Sequence, residues 1–299
     1  MAVEKQPING WLVIDKPADM SSNHVVTAVK KILHPKKIGH AGTLDPFATG
    51  VLPLALGEAT KTVQFAMDKR KTYYFELTFG EKRDTGDTEG EVIAKSDHRP
   101  VESEIEAILA KFTGDILQTP PKYSALKVNG KRAYKLARAG EEVKLKPRKV
   151  TIDALEYLDA VSDDIASFRV TCSKGTYVRT LGENIAEALG TVGYVSALRR
   201  EKVGFFNLNH TISLARLEKL AYNAEFTAHL HSVDSVLDDI LAVEIEEDAC
   251  VKLRQGQRIP LRDYADNLEG QLKVICHNAL VAIGQVDRES IKPVRVFNL

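Results

Sequence analysis

Residues 39–50 read GHAGTLDPFATG, with Gly39, Gly42, Pro46 and Gly50 inside one short stretch. That density of helix and strand breakers predicts an irregular loop. Pro46 pushes the preceding Asp45 away from helical geometry toward an extended or turn conformation. Glycines on both sides let backbone or a ligand approach closely. A lone carboxylate in a stiff loop suits a positioned nucleophile or base. The residues alone fit an ordinary Asx turn as well.

Working outward, Trp11–Ile14 predicts a short apolar strand ahead of the loop, followed by a Lys16-Pro17 turn. A helix comes next: Ser21, Ser22 or Asn23 can cap it, and Val25, Val26, Val29 and Ile32 recur at helical spacing. Behind the loop, Val51–Leu56 reads as a buried strand and Glu58–Met67 as a helix. Thr72–Phe79 (TYYFELTF) is aromatic and β-branched, and DTGDTEG at 84–90 is expected to turn it back into Glu91–Ala94 as a hairpin. Val101–Phe112 and Thr180–Leu189 carry helical patterns; Val150–Tyr157 and Phe168–Cys172 read as strands. Strands and helices mix without a βαβ rhythm, which predicts an α+β fold around a mixed, largely antiparallel sheet. Helical segments stop near Leu230–Asp239. Short β-type pieces then follow at Ala242–Ile245, Leu272–Cys276, Leu280–Val286 and Val294–Phe297. The expected division is therefore 1–235 and a small β-rich domain at 236–299.

Composition narrows the function classes. Hydrophobic residues make up 44% and charged residues 27% of the 299 positions, ordinary for a globular chain. No apolar run approaches the eighteen or so residues of a membrane span, and the N-terminus lacks the pattern of a signal peptide; a cytoplasmic protein without a membrane partner is expected. Cys172, Cys250 and Cys276 are far apart with no CxxC, so buried thiols are expected rather than a metal centre. Net charge is zero but segregated. Between Lys122 and Lys149 ten bases face only Glu141 and Glu142, whereas Asp234 to Asp248 holds seven acids and no Lys or Arg. Such a dipole attracts a polyanion locally, although a solvated charged loop has the same composition.

The motifs carry more. GHAGTLDPFATGVLPLALGEATK closely resembles the signature of the TruB branch of the pseudouridine synthases, aspartate included. IDKPADMSSN precedes it. KTYYFELTFG with DTGDTEG, PPKYSALKVNGKRAY, CSKGTYVRTL and SALRREKVGFF follow in family order. The resemblance runs from Trp11 to about Phe206, and the tail from about Val243 more loosely resembles a PUA-type RNA-binding domain.

The resemblance implies a tRNA-modifying isomerase that converts the T-loop uridine conventionally numbered 55 into pseudouridine. Asp45 matches the essential aspartate, His40 the histidine that fills the space left by the extruded uridine, and Tyr73 the tyrosine that stacks on that base. Arg179 matches the arginine paired with the catalytic carboxylate, and is expected to lower its pKa. Leu198 matches an apolar residue against the flipped uracil, while Lys16 and Lys61 are expected to give support or RNA contact. The basic stretch 122–149 matches a loop that clamps the T-arm, with Tyr123, Lys127, Lys131 and Arg132 toward the RNA. Moving uracil from an N1 to a C5 linkage gains and loses no atoms, so neither cofactor nor metal is expected. One carboxylate suffices, as nucleophile on the sugar or as base on a ribose proton. Flipping the base costs a few kcal/mol, which stacking on Tyr73 offsets by roughly 1–3 kcal/mol.

Other readings fail or overlap. Asp84-Thr85-Gly86 spells an aspartic-protease tripeptide, but no second DTG supplies the other carboxylate. A tRNA chaperone would use the same RNA-facing residues and differs only in not needing Asp45. A guide-dependent relative would need partner proteins; the long KYSALKVNGKRAYKLARAG segment favours a stand-alone enzyme with no obligatory protein partner.

Overall fold

The computed structural model describes residues 4–128, 130–141, 143–261, 264 and 268–299. One large sheet organises the chain up to His231. Across it the strands run Leu230–His231, Gly10–Lys16, Thr49–Leu56, Gly193–Val203, Lys71–Phe79, Ile165–Cys172, Arg148–Ser162 and Gly114–Gln118. Short strands Ile38–His40 and Phe206–Asn207 flank Thr49–Leu56 and Gly193–Val203. Neighbours are antiparallel except at one seam, where Arg199 and Arg200 lie parallel to Thr49 and Gly50. The fold is thus α+β with a mixed, largely antiparallel sheet, as the element pattern predicts.

That seam positions the loop at residues 41–48, because the chain leaves the Ile38–His40 strand and re-enters the sheet beside Arg199. Gly50 makes the approach feasible. Its φ is +99°, and a Cβ there would stand 2.2 Å from the Arg200 carbonyl oxygen. No other residue fits both the backbone conformation and the space.

The sheet is covered by the Val178–Ala188 helix, whose Val178, Leu181, Ile185 and Ala186 are buried. They join Phe75, Leu77, Phe168, Val170, Val195 and Leu198 in one core. The Ser22–Leu33 helix is capped by Ser21, whose hydroxyl accepts from the His24 N–H. Its Val25, Val29 and Leu33 pack with Leu12, Ile14, Leu52 and Leu54 in another.

The structure departs from the sequence reading in several places. TYYFELTF does not form a hairpin with Glu91–Ala94. Gly80, at φ +95°, ends the strand, and Glu81–Arg83 pairs with Val92–Lys95 as a separate ribbon. Lys71–Phe79 instead lies between Ile165–Cys172 and Gly193–Val203, long-range partners that no local pattern encodes. The segment expected to be helical from Glu58 begins as a 3₁₀ turn, Gly57–Thr62, before the Val63–Asp68 helix. The acidic run contains the start of an unexpected helix, Glu247–Arg254.

The C-terminal β-rich unit is a five-stranded sheet in the order Ala242–Glu244, Gln271–Cys276, Ala279–Asp287, Ser290–Val296 and Ile259–Pro260. It has its own core around Leu253, Leu272, Val274 and Ile291. A second face packs into the larger unit, where Leu280, Ile283 and Phe297 share a core with Trp11, Ala55, Ala59 and Val233. The Asn298 N–H donates to Glu58 Oε2 at 2.8 Å. Part of the acidic connection is tied back as well, since Lys69 pairs with Asp238 and Asp239. Phe297 is 1% exposed at this junction. Phe297→Ala is expected to lower unfolding free energy by about 3–5 kcal/mol in denaturant titration; a loss below about 1 kcal/mol would mean that the junction contributes little.

Candidate active site

Asp45 is held by its neighbours before any partner touches its carboxylate. On one side Ser22 Oγ accepts from the Leu44 N–H at 2.8 Å and donates to the Leu44 carbonyl at 3.1 Å. On the other, fully buried Lys16 donates to the Pro46 carbonyl at 2.9 Å, and to Pro17 and Met20 carbonyls at 2.8 and 2.5 Å. Buried Arg200 anchors the loop's start and exit, donating to Gly42 O at 3.0 Å and Val51 O at 2.7 Å. The backbone around the aspartate is therefore fixed at four points by side chains distant in sequence.

The carboxylate meets Arg179, whose Nε lies 2.9 Å from Asp45 Oδ2. The Nε–H points off the hydrogen-bond line, so the contact is an ion pair by distance. Arg179 is 4% exposed and its other nitrogens are engaged. Nη1 is 3.1 Å from Asp87 Oδ2 and donates to Thr85 O at 2.8 Å; Nη2 donates to Tyr123 O at 3.0 Å. Asp87, itself buried, accepts from Thr85 Oγ1 at 2.6 Å and from the Glu89 N–H at 3.0 Å. One guanidinium is thereby shared by two carboxylates and two loops.

Asp45 keeps 34% of its side chain accessible. Its pKa is raised, first by burial and further by Asp87, with Arg179 and Lys16 acting the other way. The sequence expectation of a lowered value is corrected here. The guanidinium is shared with Asp87, and the enclosing protein outweighs it. Burial also draws Lys16 down to about 8, with Asp45 opposing.

Tyr73 is part-buried beside the core that contains Leu44, Phe75 and Leu198, and lies opposite Arg200 in the sheet. Burial raises its pKa, and the charges of Arg200 and Asp45 both reach it. Leu198 is buried in the same cluster, paired in register with Phe75. His40 ends its strand with Nδ1 buried and, among the described residues, without a hydrogen-bond partner. Burial and the Arg200 charge lower its pKa and favour the neutral ring. The electrostatics thus link Asp45, Arg179, Tyr73 and Lys16, and Arg200 links Tyr73 with His40.

Lys61 is placed elsewhere. It pairs with Glu58 at 2.6 Å and donates to the Val296 carbonyl at 2.8 Å, clasping the C-terminal unit. In the basic stretch Lys127, Lys131 and Arg132 are exposed on a two-stranded turn, Lys127–Val128 with Lys131–Arg132, leading into the Ala133–Arg138 helix. Arg132 donates back to Ala125 O at 2.6 Å. Glu142 lies outside the described residues. Tyr123 is half-buried: its hydroxyl donates to Asp84 Oδ2 at 3.0 Å while its carbonyl accepts from Arg179. Tyr123→Phe removes the first bond and loosens the second. The expected result is a roughly five- to tenfold fall in turnover, the scale of about 1–1.5 kcal/mol for one hydrogen bond, with the salt dependence of RNA binding unchanged. A change in that salt dependence instead would make Tyr123 an RNA contact.

Sequence reasoning missed Ser22, Asp87 and Arg200. All three sit inside the motifs quoted above, but their roles arise only from folding. The three cysteines are buried and free. Among the described residues one group of ligand-type atoms, from Glu247, Cys276 and His277, comes together around the end of the Gln271–Cys276 strand.

Comparison with known proteins places the chain in a family. Residues 30–178 match the model of the TruB family pseudouridylate synthase N-terminal domain. Residues 179–242 match the tRNA pseudouridylate synthase B C-terminal domain, and 242–297 match the pseudouridine synthase II TruB C-terminal model. Proteins named tRNA pseudouridine synthase B from Bradyrhizobium diazoefficiens and Rhodospirillum rubrum are 45% and 44% identical. They are matched over 99% and 98% of this chain and 88% and 98% of their own. Among solved structures, a chain of a Cbf5-Nop10-Gar1 complex is 26% identical with a TM-score of 0.75, covering 97% of this chain and 84% of that one. A chain of an H/ACA RNP bound to a substrate RNA containing 2'-deoxyuridine has the same fold, with a TM-score of 0.76 at 23% identity, over 97% and 85% of the two chains. With a ~45% identical match along nearly its whole length, the chain belongs to the TruB family of pseudouridine synthases.

Proposed function

We propose that this protein is a tRNA pseudouridine synthase that isomerises the T-loop uridine conventionally numbered 55, acting without cofactor, metal or partner protein. The observation that carries the reading is Asp45, pinned through Leu44 and Pro46, ion-paired to Arg179 and still partly accessible. The relatives' name supplies tRNA as the substrate class.

In this reading the uridine leaves the RNA stack and lies between Tyr73 and the Leu198 surface, with His40 filling the gap. The Asp45 carboxylate then attacks the sugar or removes a ribose proton. The C1′–N1 bond breaks, the uracil turns, and C5 joins C1′. C5 loses its proton and N1 ends protonated, so no redox partner enters the balance. Asp45, Arg179 and Tyr73 are the catalytic set. Lys16 positions the loop, and Lys127, Lys131 and Arg132 contact the T-arm. The division of the chain into a catalytic domain, 1–235, and a PUA-like domain, 236–299, belongs to the same proposal.

Purified protein is incubated with unmodified tRNA transcript and nothing else, and pseudouridine is mapped by chemical labelling or mass. One new pseudouridine at position 55 is expected. No product would overturn the proposal, and product only after adding other proteins would point to a guided enzyme. The same RNA-facing residues suit an additional tRNA-folding role, which would survive in the Asp45→Asn protein.

A further inference from the structure

From Met20 to Leu44 the chain carries Lys30, Lys31, Lys36 and Lys37 with His24, His34 and His40, and no Asp or Glu. The fold makes part of this run a concave surface. Lys30, Lys36 and Lys37, together with Pro35, Ile38 and Thr60, line a pocket of about 400 Å³. All four lysines are exposed. Among the described residues none of them has a carboxylate at ion-pair distance, whereas nearby Lys61 is paired with Glu58. Lys37 influences Glu58, but that carboxylate already engages Lys61 and the Asn298 N–H.

The backbone presenting these cations is fixed. Lys36 N donates to Gln6 O at 3.1 Å, and Lys37 O accepts from Gly57 N at 2.9 Å. A blander role exists for Lys30 and Lys31, in the last turn of the Ser22–Leu33 helix, where cations offset the helix dipole. That role does not extend to Lys36 and Lys37, which lie beyond the helix. Lys37 begins the short run to His40, about 10 Å away at strand rise, so the pocket continues the surface that leads to the reactive loop.

We propose that this pocket is a second binding site for RNA phosphodiester groups, separate from the basic arm at 122–149. It rests on the RNA-binding reading above and adds a contact on the opposite side in sequence of the catalytic aspartate. A phosphate there meets point charges in a concave setting, giving affinity and orientation without base selectivity.

The test is equilibrium binding of unmodified tRNA over a salt series, comparing wild type with Lys30→Ala/Lys36→Ala/Lys37→Ala. A charge-matched control, Lys111→Ala/Lys219→Ala/Lys252→Ala, removes three exposed lysines elsewhere. The pocket variant is expected to bind tenfold or more weakly at low salt. Its slope of log affinity against log salt should be shallower by roughly 2, about 0.7–0.9 per lost contact, with the control near wild type. Equal slopes in both variants would overturn the site while leaving tRNA binding by the arm in place. No salt-dependent complex with wild type would overturn both the site and the RNA reading.

Discussion

Asp45→Asn is expected to lower the single-turnover rate of pseudouridine formation by roughly 10³-fold or more, with tRNA affinity within about twofold of wild type. The size follows from the chemistry, because the amide can neither attack the sugar nor accept a proton, and a positioned base or nucleophile supplies factors of this order. Binding is expected to survive because the proposed phosphate contacts lie elsewhere, on the exposed lysines of the arm. The fold should survive too. Burial and Asp87 raise the Asp45 pKa, so its ionised form burdens the native state. A carboxyl whose folded pKa is raised adds stability below the unfolded aspartate range and loses that contribution as pH rises through the folded pKa. At neutral pH the neutral Asn lifts the burden, and the thermal midpoint is expected to equal or exceed wild type. Conversion by the purified variant at a rate within about tenfold of wild type would remove Asp45 from the chemistry.

The same shift is expected to set the acid limb of the pH–rate profile. On the proposed mechanism turnover requires the carboxylate, so the rate is expected to rise with pH through the raised pKa of Asp45, above where a solvent-exposed aspartate would place it. Asp87→Asn removes a like charge and is expected to move that limb to lower pH. A limb that moves the other way, or stays put, would show that Asp87 does not act on Asp45 through its charge.

How much of this was legible in the sequence depends on range. The reactive loop was, because Gly39, Gly42, Pro46 and Gly50 are local signals, and so were strands such as TYYFELTF. The pairing of that strand was not. Its partners come from residues 165–172 and 193–203, and a local turn at DTGDTEG suggested a hairpin instead. Gly193–Val203 was not recognised as a strand, since SALRREKV puts consecutive charges where alternation is expected, yet Arg200 is buried by its two carbonyl acceptors. The pairing of Asp45 with Arg179 came from family resemblance rather than from the residues. Asp87 looked like one more acid in a polar turn, and only the folded chain reveals it as a buried counter-charge.

Arg179→Met is expected to be the most damaging change to fold and chemistry together. It strips Asp87, 2% exposed, of its ionic partner, and uncovering a buried charge this way costs about 3–5 kcal/mol. It also frees the Thr85 and Tyr123 carbonyls and leaves the Asp45 carboxylate to reorient, where a displacement near 1 Å lowers rate about 10²-fold. Asp87→Asn in the same chain discriminates between the two consequences. With no charge left to strand, the double variant should recover much of the lost stability, so that the two single effects fail to add by about 1–3 kcal/mol. Turnover should stay low, because nothing then orients Asp45. Denaturation midpoints of wild type, both single variants and the double variant measure the coupling, and single-turnover rates on tRNA measure the chemistry. Additive destabilisation would mean that the short Arg179–Asp87 contact is no energetic unit. Recovered turnover would mean that the guanidinium serves Asp87 rather than the reactive carboxylate.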